Sequence, residues 1–133
     1  MKLKILAIAD YAREDGISRK LDILGIFSRI YTSKFPAIHS RMVIVAKVEA
    51  ELGDDTEPKE FSVTFADQDG LKLLEISAPF KIPHGEQGIR PDFNFIWELN
   101  GLEFPHAGHY QLQANIDGKE LGTTSIELIQ PTN

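Results

Sequence analysis

Residues 104–129, FPHAGHYQLQANIDGKELGTTSIELI, decide the fold class of this chain. Apolar and polar residues alternate on both sides of the dipeptide Asp117-Gly118. An Asp-Gly pair between two alternating segments predicts a β-hairpin whose turn holds only two residues, because Gly118 supplies the backbone freedom that such a turn requires. The stretch therefore predicts two antiparallel strands that close a β-sheet.

The residues that lead into this hairpin, His106-Ala107-Gly108-His109-Tyr110, are similar to a tyrosine corner. In immunoglobulin-like sandwiches, a tyrosine near the start of the penultimate strand bonds back to the backbone a few residues upstream. A small residue and the tyrosine match this pattern, whereas His106 stands where related corners often carry an acid. We therefore predict structural roles for Gly108, Tyr110 and Gly118 rather than roles in ligand binding.

Short alternating segments recur along the rest of the chain, and none has a sustained helical period. They predict strands over residues 3–9, 21–31, 41–50, 61–67, 71–78 and 92–100. Polar residues 10–20 predict a loop, Asp69-Gly70 and Asn100-Gly101 predict turns, and the Pro- and Gly-rich residues 79–91 predict an irregular crossing. Strands at intervals of about 8–12 residues are typical of a sandwich.

The expected architecture is an all-β, single-domain, immunoglobulin-like β-sandwich of seven to nine mostly antiparallel strands. It covers residues 1–130, and residues 131–133 form a frayed C-terminal tail. Trp97 and Tyr110 are expected to anchor the core. The predicted core comprises Ile5, Ala7, Ile23, Phe27, Ile44, Ala46, Val48, Phe61, Val63, Phe65, Phe93, Phe95, Trp97, Tyr110, Leu112 and Ile116.

The composition is that of an ordinary soluble domain, with 42% hydrophobic and 26% charged residues among 133. The chain has no cysteine, which excludes disulfides, thiolate nucleophiles and Cys-ligated metals. The N-terminal apolar run is short, alternates with lysine and lacks a cleavage site, so it predicts a strand and not a signal peptide. No apolar run approaches the ~20 residues that span a bilayer. We expect a cytoplasmic protein that does not bind a membrane.

Charge is distributed unevenly along the chain. Residues 1–47 carry nine Lys/Arg and four Asp/Glu, a balance of +5, whereas residues 48–133 carry five and sixteen, a balance of −11. The net charge is −6. Because phosphate contacts supply most of the non-specific affinity for nucleic acids, an acidic chain without a basic cluster is not expected to bind them.

Two sets of residues could contribute to a metal site. Asp67-Gln68-Asp69-Gly70 is similar to the start of a calcium loop, and Asp92 could join it at one end of a sandwich. His106 and His109 could ligate zinc, together with His39 or His84 if the loops meet. The plainer interpretation is a hairpin turn at Asp67–Gly70 and histidines that bond to backbone, so no metal or cofactor is expected.

Catalytic motifs are absent from the sequence. No serine lies in a G-x-S-x-G elbow, and no phosphate-binding G-x-x-x-x-G-K-[ST] or G-x-G-x-x-G motif occurs. We therefore expect a protein that is not an enzyme.

Two features of the sequence favour contact with a partner. Ile96 lies on the polar side of its strand, and Val43 and Val45 make the strand over 41–50 apolar on both faces. A partner protein or a second copy could cover that second face. The alternative is coverage by the N-terminal hairpin or by the crossing over 79–91.

The whole pattern resembles a family of small, uncharacterised bacterial proteins of unknown function. The resemblance is based on AIAD (7–10), KLDILGIF (20–27), FPAIH (35–39), the D-x-D-G of residues 67–70 and the G-x-Y of residues 108–110. It implies a bacterial or phage setting in the cytoplasm, and no catalytic residue comes with it. The resulting expectation is a non-enzymatic β-sandwich module for protein–protein interaction or assembly. The alternative is a small-ligand or metal-binding domain, with calcium or zinc bound by loops at one end.

Overall fold

The computed structural model describes residues 1–83 and 90–132. Within them the chain forms nine strands and no helix, so the all-β prediction is confirmed. The strands are β1 (Lys2–Glu14), β2 (Leu21–Ile26), β3 (Arg29–Tyr31), β4 (Ala37–Glu49), β5 (Lys59–Asp67), β6 (Lys72–Phe80), β7 (Asp92–Phe104), β8 (Gly108–Ile116) and β9 (Lys119–Ile129). Residues 84–89 of the predicted crossing, which include His84, and Asn133 of the predicted tail lie outside the described residues.

The strands form two sheets that pack face to face. The first has the order β2-β1-β4-β7 and the second the order β3-β9-β8-β5-β6. Neighbouring strands pair antiparallel except β3 and β9, which run parallel. The closing hairpin predicted from residues 104–129 is β8 and β9. Its two turn residues both have positive φ, 48° at Asp117 and 81° at Gly118, as in a type I′ turn.

The core lies between the sheets and draws on both of them. Phe61, Phe65, Tyr110 and Leu112 of the second sheet are at most 1% exposed, and they meet Ile44 of the first sheet. Trp97 is only partly buried. Its indole stacks on the ring of Phe61 with 5.7 Å between the centroids, at the margin of the core rather than at its centre.

The structure corrects several predicted element boundaries. The predicted turn at Asn100-Gly101 is wrong, because β7 continues to Phe104 and stays paired with β4, which begins at Ala37. Residues 21–31 form two strands in different sheets instead of one. Part of the predicted loop over 10–20 is strand, because β1 remains paired with β2 as far as Glu14 and Leu21. In β7 and β1, tertiary pairing carries the strand past glycine or polar residues.

The predicted inward face of β1 is also wrong. The β1–β4 ladder shifts register between Leu3 and Ile5, and a shift of one residue moves every following side chain to the other face. Ile8 therefore packs in the core between the sheets. Ala7 pairs with Val45 on the outer face of the first sheet, and Ile5 lies on that face too. Ile23, also predicted to lie in the core, is outside the cluster that fills it.

The outer face of β4 is covered by the chain itself. Val43 and Val45 are 2% and 0% exposed, although they point away from the second sheet. The hairpin of β1 and β2 folds back over this face, since the side chain amide of Asn94 in β7 donates to the carbonyl of Arg19 at the hairpin tip, at 3.0 Å. The N-terminal hairpin, one of the two sequence-based alternatives, therefore lies over this face.

Candidate functional site

Polar groups concentrate at the corner between β7 and β8, next to the turn that joins β5 to β6. The hydroxyl of Tyr110 donates to the carbonyl of His106 at 2.6 Å and accepts from the amide of His106 at 3.2 Å. The tyrosine ring is 1% exposed and packs edge-on against Phe104. This geometry is that of a tyrosine corner.

A buried carboxylate joins the corner to the neighbouring turn. One oxygen of Asp67, Oδ1, accepts from the amides of Asp69 and Leu71 at 2.9 and 2.8 Å. Its other oxygen, Oδ2, lies 3.1 Å from Nε2 of His106. The Asp67 carboxylate is therefore engaged on both oxygens by the protein itself.

The surroundings of His106 favour its cationic form. Nδ1 of the ring lies 2.9 Å from the carbonyl oxygen of Ala107, so both ring nitrogens face oxygen acceptors and both must donate. The Ala107 carbonyl and the Asp67 carboxylate raise the pKa of His106 above its ordinary value. The amide of Leu71, with help from His106, lowers the pKa of Asp67 despite the partial loss of solvent around it.

This corner holds a histidine and a carboxylate, but it lacks the third partner that nucleophilic catalysis requires. In the described part of the chain, no serine or threonine hydroxyl donates to a histidine ring. A shallow groove of about 300 Å³ beside the corner is lined by Asp67, Gln68, His109, Tyr110, Gln111 and Ser125. What the arrangement provides is a hydrogen bond between Asp67 and His106 that joins the two turns, here called the latch.

The other candidate metal ligands do not converge on the corner. Asp92 pairs across the ladder with Glu49 and lies 3.5 Å from Lys47 Nζ, at the end of the sandwich opposite to Asp67. Asp69 contributes its backbone amide to Asp67, and His109 is joined to Gln68 through its backbone alone. Among residues 1–83 and 90–132, no three His, Asp or Glu side chains gather as a metal site would require.

The two predicted structural glycines beside Tyr110 and Asp117 have positive φ. Gly108, at 129°, begins β8, and a side chain there would approach the Gln68 amide oxygen to 3.1 Å. Gly118 completes the closing turn. Glycine is favoured at both positions because other residues rarely adopt this conformation.

A second region stands out by its exposed apolar side chains. Eight large apolar residues of the described chain are exposed, and six of them lie between Tyr11 and Ile38. Leu24 and Ile26 of β2 are 61% and 65% exposed. Tyr11 lies directly opposite Leu24 in the β1–β2 ladder, so their side chains share a face.

Next to these residues the chain crosses from the first sheet to the second. The crossing leaves a groove of about 330 Å³ lined by Asp10, Phe27, Arg29, Ile30, Tyr31 and His39. A smaller groove of about 160 Å³ shares Ile30, Tyr31 and His39 with it. We call the exposed residues Tyr11, Leu24 and Ile26, together with the larger groove, the hairpin surface.

The sequence analysis selected a different set of apolar residues as a surface for a partner. It selected Val43, Val45 and Ile96, which lie on the face that the N-terminal hairpin overhangs. The alternation in residues 21–31 had placed Ile23 and Phe27 inward, and so left Leu24 and Ile26 outward. This alternation predicts that the two side chains point outward, but it does not show whether another strand covers them. That depends on the position of β2 as an outer strand.

The two packed sheets, the tyrosine corner and the closing hairpin define an immunoglobulin-like β-sandwich. Within this class, the chain belongs to the family of unknown function DUF6941, which it matches over residues 4–129. The resemblance to a family of unknown function is thereby confirmed. No curated protein matches the chain in sequence.

Several solved structures are similar in fold. One is the alkylpurine DNA glycosylase AlkC of Pseudomonas fluorescens bound to DNA with an abasic site analogue, at 12% identity and a TM-score of 0.53. The match covers 96% of this chain and 30% of the glycosylase, so the chain spans less than a third of that protein. An immunoglobulin-like protein of Pseudomonas aeruginosa matches at 9% identity and a TM-score of 0.44, over 96% of this chain and 95% of its own. At these identities the likeness concerns the fold alone.

Proposed function

We propose that this protein is a non-enzymatic interaction module and that it contacts its partner through the hairpin surface. The observation that carries the proposal is the concentration of exposed apolar side chains on that surface. Large contiguous apolar patches are uncommon on proteins without partners, whereas single exposed apolar residues are ordinary. The corner of Asp67, His106 and Tyr110 does not compete for this role, because its polar groups satisfy one another.

Site-specific photo-cross-linking tests this proposal. A photoreactive residue replaces Leu24 in one variant and Leu71 in another; both leucines are 61% exposed, so they form a matched pair. Irradiation in a lysate of the source organism is expected to give a discrete protein adduct from position 24 and none from position 71. A further Ile26→Lys substitution should abolish the adduct. Equal labelling from both positions, or none from position 24, would contradict the proposal.

We further propose that the protein acts in the bacterial cytoplasm. Its lack of cysteine suits a reducing compartment. No helix in the described part of the chain is both long and apolar enough to cross a membrane. Cell fractionation with detection of the untagged protein tests the location. Recovery in the membrane or periplasmic fraction would reject it.

Nucleic acid is not part of the proposed function, even though one structural neighbour was captured on DNA. A chain with a net charge of −6 lacks the excess of cations that draws proteins to phosphates. Fluorescence anisotropy with labelled duplex and single-stranded DNA is expected to show no binding at physiological salt. Salt-dependent binding would overturn this part of the proposal.

A further inference from the structure

The larger groove of the hairpin surface carries charges of both signs that no described residue neutralises. Asp10, Arg29 and His39 all line it. In the described part of the chain, no ion pair and no side-chain hydrogen bond engages any of these three side chains. By contrast, Arg13 and Asp22 of the same hairpin bond to each other at 2.8 Å. The groove therefore presents an anion and a cation that can both pair with a ligand.

The backbone of β2 leaves room for the carboxylate of Asp10. Gly25 has a φ of 72°, and a side chain at this position would collide with the Asp10 carboxylate. The pair of Asp10 and Gly25 is also missing from the ladder between β1 and β2. Glycine tolerates both the positive φ and the close approach, and a glycine within a strand often marks such a site. The absence of a side chain at Gly25 therefore allows the carboxylate to lie against β2.

Apolar and aromatic side chains form the rest of the groove. Phe27 and Ile30 are partly buried and pack against the core, so they are held in place from below. The ring of Phe27 lies 5.7 Å from that of His39, measured between the centroids. Small-molecule sites combine an apolar lining with a few polar groups and occupy roughly 300–1,000 Å³. With about 330 Å³, the groove has the size and the lining of a site for a small ligand.

From this lining we infer that the groove binds a small zwitterion with an apolar body, which is the chemistry of an aromatic α-amino acid. The ammonium group of the ligand pairs with Asp10 and its carboxylate pairs with Arg29. Its apolar part lies on Phe27 and Ile30. Complementary charges select the ligand and fix its orientation, since a ligand with one charge leaves one of the two groove charges without a partner. This inference goes beyond the proposed function, because the site needs no protein partner.

The exposure of the charged groups sets the strength of binding. Asp10 and Arg29 are both exposed, so the ion pairs that they form with the ligand remain in contact with water. An exposed ion pair changes an affinity by about two- to fivefold. A small ligand that stays partly solvated gains little from each of its atoms. Binding is therefore expected to be weak, and each charge should contribute a measurable part of it.

Residue-resolved NMR titration of the purified chain with L-phenylalanine tests the inference. The amide signals of residues 10, 27–31 and 39 should shift together and saturate. The analogue 3-phenylpropionate lacks the ammonium group and phenethylamine lacks the carboxylate, so each should bind about two- to fivefold more weakly. Shifts scattered over the surface, or none up to the solubility limit of L-phenylalanine, overturn the inference. Either result leaves the proposed function to the cross-linking experiment, which depends on a protein partner.

Two charge variants assign the contacts one by one. Asp10→Asn should bind L-phenylalanine and 3-phenylpropionate equally well, because the ammonium group has lost its partner. Arg29→Gln should likewise bind L-phenylalanine and phenethylamine equally well. Asp69→Asn, at an exposed aspartate outside the groove, should keep the preferences of the parent. The same spectra show that each variant is folded. If Asp10→Asn and Arg29→Gln also keep those preferences, the two charges do not contact the ligand and the inference is overturned.

Discussion

The two hairpins at the ends of the chain differ in the length of their turns and in the exposure of their apolar side chains. The closing hairpin of β8 and β9 turns in two residues, and the tyrosine corner before it uses its polar groups internally. The N-terminal hairpin of β1 and β2 turns over six residues, 15–20, and leaves an outer strand with apolar side chains in solvent. One hairpin completes the sandwich. The other lies over the first sheet and leaves Tyr11, Leu24 and Ile26 exposed to solvent.

The difference lies in where each hairpin buries its apolar residues. β8 and β9 send Tyr110, Leu112, Ile126 and Leu128 into the space between the sheets, where each is at most 1% exposed. β2 is the outer strand of the first sheet, beyond β1, and none of its residues belongs to the cluster that fills the core. Alternating strands therefore form a core element in one case and a strand with exposed apolar side chains in the other.

The largest expected effect comes from opening the core beneath the closing hairpin. Phe65 is fully buried, and its ring lies 5.8 Å from that of Phe104 and 6.5 Å from that of Tyr110. Phe65→Ala should lower the free energy of unfolding by about 3–5 kcal/mol, measured by urea denaturation, because it removes buried contacts and leaves a cavity. Leu24→Ala serves as the control and should change it by less than about 0.5 kcal/mol. Similar losses from both would refute the contrast between the hairpins.

A smaller effect is expected from removing the tyrosine hydroxyl alone. Tyr110→Phe keeps the ring but leaves the carbonyl and amide of His106 without their partner. An unsatisfied group in such a site costs about 1–3 kcal/mol, and the same denaturation experiment measures it. Tyr31→Phe, on a tyrosine that is 64% exposed, is the matched control and should be neutral. Equal stability of Tyr110→Phe and the parent would mean that the corner is held by packing alone.

The turns of the two hairpins can be compared through one glycine in each. Gly118 has a φ of 81°, whereas Gly16 in the N-terminal loop has no positive φ and open space around it. Gly118→Ala should destabilise the protein by about 1 kcal/mol or more, because alanine resists that conformation. Gly16→Ala should have little effect on the melting temperature. The reverse order of the two shifts would show that the long loop, not the tight turn, limits stability.

The last prediction concerns the pH dependence of the latch between Asp67 and His106. The pKa of His106 is raised, so its contribution to stability is present below about pH 6.5 and is lost as the pH rises through the raised value. The pKa of Asp67 is lowered, so its contribution is present above about pH 4 and is lost as the pH falls through the lowered value. The difference in melting temperature between the parent and His106→Asn should therefore peak near pH 5–6 and shrink by about pH 9.

A second histidine variant serves as the control for this experiment. His109 is exposed, and its ring makes no hydrogen bond to any described residue. His109→Asn should follow the parent across the same pH range. A His106→Asn difference that does not vary with pH would show that the ring acts through packing on Tyr110 and not through its charge.

His106 stands where related corners often carry an acid, and its partner in the structure is distant in the chain. A histidine replaces the acid that related corners often carry, and the structure supplies a carboxylate from Asp67, in a turn 39 positions away. Alternation and turn residues predicted both turns correctly, because these patterns are local. The pairing of the two turns depends on β5 lying beside β8 in the second sheet, which no local pattern specifies.

By itself, the sequence determined that the chain is an all-β sandwich, where its closing hairpin turns, and that Tyr110 lies inside. Period-two alternation, Asp-Gly turns and a buried aromatic act over a few residues, so they can be recognised without a structure. Only the tertiary structure decided which face of β1 enters the core, what covers Val43 and Val45, and which strand lies outermost in the first sheet. These outcomes depend on register and strand order, since a slip of one residue or a change of neighbour reverses which side chains are buried.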